Sequence, residues 1–218
     1  MIEQYAVIFV NGDLQIDEGI RKLVADASLC VSADGGYRHA KRLNIIPDAL
    51  IGDLDSILPE DLHFLQQKKI RIDKFPTQKN ETDLELALDW VVQQGFKKIF
   101  ILGAIGDRID QTMGNIFLLS NPDYENLQIS LRDAKQEVFL VRDHGLINGT
   151  VDDRVSLLPL SGEVTGIQTD GLLYPLNDEI LNRWLTRGIS NQLTKNTGSI
   201  KIKSGLLLVT HEFGTNEE

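Results

Sequence analysis

The strongest constraint in this sequence is a change of hydrophobic rhythm near residue 125. Before it, compact apolar runs at 5–10 (YAVIFV), 29–33 (LCVSA), 48–51 and 98–102 (KIFIL) read as buried strands. Helical stretches separate them. The clearest spans 82–94, where Leu84, Ala87, Leu88, Val91 and Val92 recur at helical spacing and form one apolar face. Strands alternating with helices predict a mostly parallel sheet covered on both faces. Beyond residue 125 the runs 127–132, 136–142, 153–158, 163–168, 200–203 and 206–210 are short and β-like, with Gly, Asn and Asp between them. Ile147-Asn148-Gly149-Thr150 and Lys203-Ser204-Gly205-Leu206 read as hairpin turns. That pattern predicts a small β-sandwich. The expected organisation is an α/β domain over 1–122 and a β-sandwich over 127–218, divided in Asn121-Pro122-Asp123-Tyr124-Glu125-Asn126.

Composition narrows the function. The 218 residues allow one large domain or two small ones. No run of about 18 apolar residues exists to span a membrane. Met1-Ile2-Glu3-Gln4 lacks the basic start and apolar stretch of a signal peptide. The single Cys30 lies in an apolar run and reads as a buried thiol of a reducing compartment, so a cytoplasmic location is expected. A net charge of −10 argues against nucleic-acid binding, which needs a basic face. Acidic residues that face a nucleotide must hold a divalent cation between themselves and its phosphates. His39, His63, His144 and His211 show no zinc-ligand spacing.

Four acidic stretches stand out in the first domain, each after an expected strand or at the start of a helix. They are Ala33-Asp34-Gly35-Gly36, Gly52-Asp53-Leu54-Asp55-Ser56, Glu81-Thr82-Asp83-Leu84-Glu85, and Gly106-Asp107-Arg108-Ile109-Asp110-Gln111. Ligands of open parallel sheets bind beyond the carboxyl ends of the strands, where such loops converge. Asp34, Asp53, Asp55, Asp83 and Asp110 are therefore expected to share one cleft. Mg²⁺ takes one or two carboxylates plus substrate phosphates, and Asp53 and Asp55 with Asp83 are its expected ligands. The Gly35-Gly36 pair offers backbone N–H groups, and Arg108 a planar fork, to phosphate oxygens. Each motif also has a purely structural reading. Asp34-Gly35-Gly36 is a common turn, Thr82-x-x-Glu85 fits a helix capping box, and Asp110 can simply open a helix at 110–119. The sequence holds no G-x-x-x-x-G-K-[ST], no G-x-G-x-x-G after the first strand and no G-x-S-x-G.

In their order along the chain, these motifs resemble those of the thiamine pyrophosphokinase family. Asn115 joins the fourth motif. The second domain adds Gly171-Leu172-Leu173-Tyr174-Pro175-Leu176, Gly188-Ile189-Ser190-Asn191 and Ser204-Gly205-Leu206-Leu207-Leu208-Val209. The resemblance implies transfer of the pyrophosphoryl group of ATP to thiamine, giving thiamine diphosphate and AMP. It implies Asp53, Asp55, Asp83 and Asp110 as catalytic groups, and Asp34, Gly35, Gly36, Ser56, Thr82 and Arg108 around the nucleotide. It further implies a homodimer. Thiamine would then lie between the first domain of one subunit and the sandwich of the other, near Gln111, Asn115, Tyr174, Ser190 and Asn191. Gln111 stands where many bacterial members have His, Asp107 where Gly is common, and Tyr174 where animal members have Trp. Two alternatives stay open at this stage: a phosphatase with Asp53 as nucleophile, and a module that binds thiamine or nucleotide without turnover. Without the family, Tyr174 reads as a core residue of the sandwich and Ser190-Asn191 as a turn.

Overall fold

The structure, a computed structural model, describes residues 4–214. Residues 1–3, which carry most of the N-terminal reading above, and 215–218, the outer end of the expected second domain, lie outside the described residues. The chain divides into two compact units. The first runs to Leu118 and takes in Asn126–Ala134; the second comprises Leu119–Glu125 and the chain from Lys135.

The first unit holds strands β1 (Ala6–Phe9), β2 (Leu29–Ala33), β3 (Ala49–Gly52), β4 (Arg71–Lys74), β5 (Lys98–Leu102) and β6 (Gln128–Arg132). They lie in the order β6-β5-β1-β2-β3-β4, and every pairing among them is parallel. Helices α1 (Glu18–Ala25), α2 (Tyr37–Arg42), α3 (Pro59–Gln67), α4 (Asp83–Gln93) and α5 (Ile109–Leu118) connect them. Alternation along each strand serves both faces. Val7, Phe9, Leu50, Phe100 and Leu102 pack in one cluster with Ile20, Val24, Tyr37, Ala40 and Leu65. The apolar face read in the sequence is the buried face of α4, with Leu84, Ala87, Leu88 and Val91 inside, and the helix packs on β1, β2 and β3. Burying such a side chain fully stabilises the fold by roughly 1.5–3 kcal/mol. Strand order runs one way from β1 to β4 and the other way through β5 and β6. The β1/β5 boundary is therefore a topological switch point, where open α/β sheets form their ligand crevice.

Two strand assignments differ from expectation. Run 127–132 was expected in the sandwich, but it forms β6 and pairs in parallel with β5 through Lys98–Leu102. Its buried Ile129 and Leu131 extend the core of the first unit. Five residues with apolar alternation state that they form a strand, not which sheet receives it. Strand β4 gave no signal because Arg71-Ile72-Asp73-Lys74 is a charged edge, with Arg71 Nε donating to Asp73 Oδ2 at 2.7 Å. Charge on an edge strand discourages pairing with other chains.

The second unit contains β7 (Gln136–Val141), β8 (His144–Asn148), β9 (Arg154–Pro159), β10 (Glu163–Asp170), β11 (Asn177–Asn182), β12 (Asn191–Gln192), β13 (Thr197–Lys201) and β14 (Leu207–Glu212). They form two antiparallel sheets, β12-β9-β14-β7 and β11-β10-β13-β8. Val141, Val155, Leu157, Leu207 and Val209 of the first share a core with Ile147, Val164, Ile167, Leu181 and Ile200 of the second. The sandwich is as expected, but neither proposed hairpin exists. Gly149 lies where the chain crosses from β8 in one sheet to β9 in the other. A Cβ there would lie 2.5 Å from both Asp153 Oδ2 and His211 Nε2. Gly205 lies on the crossing from β13 to β14, at φ +98, and a Cβ would lie 2.6 Å from Glu163 O. Both glycines answer to close approach across the sandwich rather than to a two-residue turn. Among the described residues no helix is long and apolar enough to cross a membrane.

Candidate active site

The carboxyl ends of β1 to β5 open into a cleft of about 910 Å³ in the first unit. Val10, Asn11 and Gly12 come from the end of β1, and Asp34 follows β2. Asp53, Asp55 and Ser56 follow β3; Thr82 and Asp83 start α4; Arg108, Asp110, Gln111 and Asn115 follow β5. The expected residues of the first unit thus share one cleft, apart from the glycine pair. Gly35 and Gly36 are close-packing glycines. A Cβ on Gly36 would lie 2.0 Å from Phe9 O, and one on Gly35 would lie 2.5 Å from the Asn11 side chain.

The tightest grouping is Asp34, Asp53 and Asp83, each with a carboxylate oxygen within 4.8 Å of the others. Asp34 is 6% exposed and sits at φ +42, a left-handed conformation that costs a non-glycine residue about 1–3 kcal/mol. Its Oδ1 is buried without a hydrogen-bond partner among the described residues. A buried carboxylate oxygen in that state is costly unless something pairs with it. Gly52 lets the acids approach, since a Cβ there would lie 2.9 Å from Asp34 Cβ and 3.1 Å from Asp83 Oδ1. Asp55 lines the same cleft but stands outside this trio. It is exposed, and its Oδ1 accepts from Ser56 Oγ at 3.0 Å. Leu54, at φ +66, turns the chain sharply between Asp53 and Asp55. The sequence-based ligand set of Asp53, Asp55 and Asp83 therefore differs from the geometric one by a single exchange, Asp34 for Asp55.

Thr82 caps α4, its Oγ1 accepting from Glu85 N at 3.2 Å, which fixes Asp83 as the first helical residue. The sequence reading missed Lys79, whose Nζ lies 3.0 Å from Asp83 Oδ1. The pair alone would draw Asp83 down, but burial, and then the charges of Asp53 and Asp34, hold its carboxyl above the ordinary range. Burial opposes the charge on Lys79. Asp83, Asp53 and Asp34 together outweigh that and raise it. Lys79 was hidden because β4, whose exit loop carries it, has no apolar run. Asn11 and Gly12 were missed because neither bears a charge; only the strand order reveals their place at the crevice.

Arg108 donates to both oxygens of Asp110, at 3.3 Å from Nε and 2.6 Å from Nη2. That hydrogen bond holds the Asp110 carboxyl below its usual range and makes it a weak proton acceptor. Gln111 is exposed in the cleft. Asn115 Nδ2 donates to Ala104 O at 2.8 Å and braces the loop after β5.

In the second unit Tyr174 is 65% exposed, not part of the sandwich core. Asn191 is buried and its amide is already committed. Its Oδ1 accepts from Tyr174 N at 3.0 Å and Gln192 N at 2.9 Å, and its Nδ2 donates to Tyr174 O at 2.8 Å. Asn191 therefore fixes the backbone that presents Tyr174, a role the sequence did not suggest. Ser190 is exposed at φ +60, with its N–H donated to Ser156 Oγ at 3.1 Å.

Comparison with known proteins assigns both units. The family model "Thiamin pyrophosphokinase, catalytic domain" matches residues 20–131, and "Thiamin pyrophosphokinase, vitamin B1 binding domain" matches 144–207. Thiamine pyrophosphokinase of Bacillus subtilis (strain 168) is 28% identical over 184 residues, covering 84% of this chain and 86% of that one. The crystal structure of thiamine pyrophosphokinase from Bacillus subtilis superposes with a TM-score of 0.85 at 25% identity, over 96% of this chain and 99% of the other. That from Geobacillus thermodenitrificans gives 0.84 at 26%, over 98% and 99%. The first model ends at β6, which supports placing that strand in the first unit. The chain belongs to the thiamin pyrophosphokinase family.

Proposed function

We propose that this family member transfers the pyrophosphoryl group of ATP to thiamine, giving thiamine diphosphate and AMP, at the carboxylate cleft of its first unit. The observation that carries the placement is the trio Asp34, Asp53 and Asp83, whose carboxylate oxygens lie within 4.8 Å of one another while Asp34 Oδ1 stays unpartnered. An all-carboxylate donor set fits a hard divalent cation, and these residues would hold Mg²⁺. When bound, the metal supplies charge neutralisation and a template for the phosphates. Phosphoryl transfer needs positioning and electrostatic stabilisation more than a strong base. Asp53 and Asp83 would hold that metal at the end of the cleft that takes the anionic part of the nucleotide, with Asp55 and Ser56 lining the same cleft. Arg108 holds its fork at the cleft mouth, oriented by Asp110. A second cleft of about 590 Å³ shares Asn11 and Ser56 with the first and is lined by Arg38, Lys41 and Leu58, which suits the remainder of ATP.

Thiamine binding is proposed to need a second copy of the chain. Tyr174 offers a flat exposed face to the aminopyrimidine, and Ser190 a neutral hydroxyl. Exposed Ile109 and Met113 on α5, with Leu173 and Ile189 in the second unit, are apolar surface that a homodimer would cover. A cytoplasmic location is supported by the buried thiol of Cys30, which burial and then Asp48 push up to about 12. The deciding experiment mixes protein, thiamine, ATP and Mg²⁺ and identifies the nucleotide product. AMP in step with thiamine diphosphate is expected; ADP or free phosphate alone would overturn the reading.

A further inference from the structure

We infer that Lys79 is the built-in counter-cation of the carboxylate cluster: it holds Asp83 before the metal binds and gives up that contact when the metal arrives. The inference rests on the metal reading above. Lys79 is unlike the other Lys and Arg side chains in the described ion pairs. Its side chain is 11% exposed, whereas those of Arg38, Lys41, Arg71, Arg108 and Lys195 run from 49% to 67%. An ammonium is withdrawn from water only where opposite charge compensates. Lys79 Nζ meets Asp83 Oδ1 at 3.0 Å and donates to Pro76 O at 3.3 Å, with the charges of Asp53 and Asp34 also acting on it. It is not an ordinary pair on a helix face, because α4 begins only at Asp83 and Lys79 lies in the loop before it.

The same carboxylate belongs to the trio that fits a divalent cation. A cation bound there repels an ammonium a few ångströms away, so the two compete for Asp83. The lysine stem is flexible and its ammonium carries three rotatable donors. A lysine displaced from Asp83 remains beside the triphosphate, where a phosphate oxygen replaces the lost carboxylate. Lys79 is thus a positioning residue in the metal-free protein and a source of positive charge for the transferred group in the loaded one.

The test is Lys79→Met in the full chain, with Lys79→Gln as a second variant, using Mn²⁺ alone as the probe. Free Mn²⁺ is followed by electron paramagnetic resonance, and melting is measured in EDTA and in excess Mn²⁺. Removing the competing charge should tighten the Mn²⁺ Kd about tenfold. The metal-free melting temperature should drop by about 3–6 °C, and excess Mn²⁺ should recover most of that loss. Turnover with Mg²⁺, thiamine and ATP should fall on the order of tenfold or more although metal binds more tightly. Metal affinity and kcat moving in opposite directions is a signature that a merely structural lysine does not give. An unchanged or weaker Mn²⁺ Kd overturns the inference, as does a melting loss that persists in Mn²⁺. Failure of both variants to fold in excess Mn²⁺ overturns it too, because metal replaces a counter-cation. Wild-type protein that binds no Mn²⁺ removes the metal reading itself.

Discussion

Asp34→Asn should stabilise the metal-free protein while disabling it. The residue is 6% exposed and within 4.8 Å of two other carboxylates, with Lys79 the one cation described against the trio. At that separation and an effective dielectric of about 20, each like-charge pair costs about 3.5 kcal/mol or more before screening. Asp53 and Asp83 are only partly buried, and Lys79 offsets part of the charge on Asp83, so solvent screening and pairing reduce the net relief to about 1–2 kcal/mol. For a chain of this size that corresponds to a rise in melting temperature of about 2–8 °C in EDTA. The asparagine keeps the shape, and its amide hydrogens can donate to the neighbouring carboxylates. The opposite sign is expected once metal is present. A buried ligand oxygen and a charge are lost, so Mn²⁺ should bind at least about tenfold more weakly and kcat should fall on the order of a hundredfold. The assay is paired melting curves in EDTA and in Mn²⁺, with AMP release as the activity readout. A variant less stable than wild type in EDTA would refute the repulsion argument, and wild-type Mn²⁺ affinity would refute the assignment of Asp34 to the metal.

Three further outcomes are expected. An Asp53→Ala/Asp55→Ala chain refolded with a Tyr174→Ala/Ser190→Ala chain should regain up to about a quarter of wild-type activity if sites are shared between subunits, since half the dimers then carry one intact site; heterodimers confirmed by native mass spectrometry without rescue would exclude sharing. Asp153 is buried and accepts from Thr150 N, Gly214 N and His211 Nε2 at 2.8, 2.9 and 2.9 Å, so Asp153→Ala should cost about 3–5 kcal/mol in denaturant titration. Burial alone would raise that carboxyl, but these hydrogen bonds prevail and hold it below its ordinary 3.8. The stability it contributes is therefore complete above the unfolded value and is lost as pH falls through the lower folded one. Asp153→Asn should accordingly flatten the stability profile below about pH 4.

The layer architecture and the identity of the chemical groups follow from the sequence alone. Buried strand segments such as Ala6–Phe9 and residues 99–102 of β5 must be apolar throughout because helices cover both faces, and α4 must show its apolar stripe because one face packs on the sheet. The acids at strand ends were legible for the same reason, since a parallel sheet gathers those ends at one edge. Tertiary structure decided what no local pattern encodes. Strand β6 joined the first unit, and the expected hairpins at Gly149 and Gly205 became crossings between sheets, because pairing is set by long-range burial rather than by a run of five residues. Asp34 entered the trio and Asp55 did not, because Gly52 leaves room for close approach and Leu54 turns the chain between two acids that are neighbours in sequence. Asn191 turned inward to hold Tyr174, since a buried amide must satisfy its hydrogen bonds. Lys79 became part of the site only through folding, because the charge it answers comes from two strand ends, at Asp34 and Asp53, and from the start of α4 at Asp83.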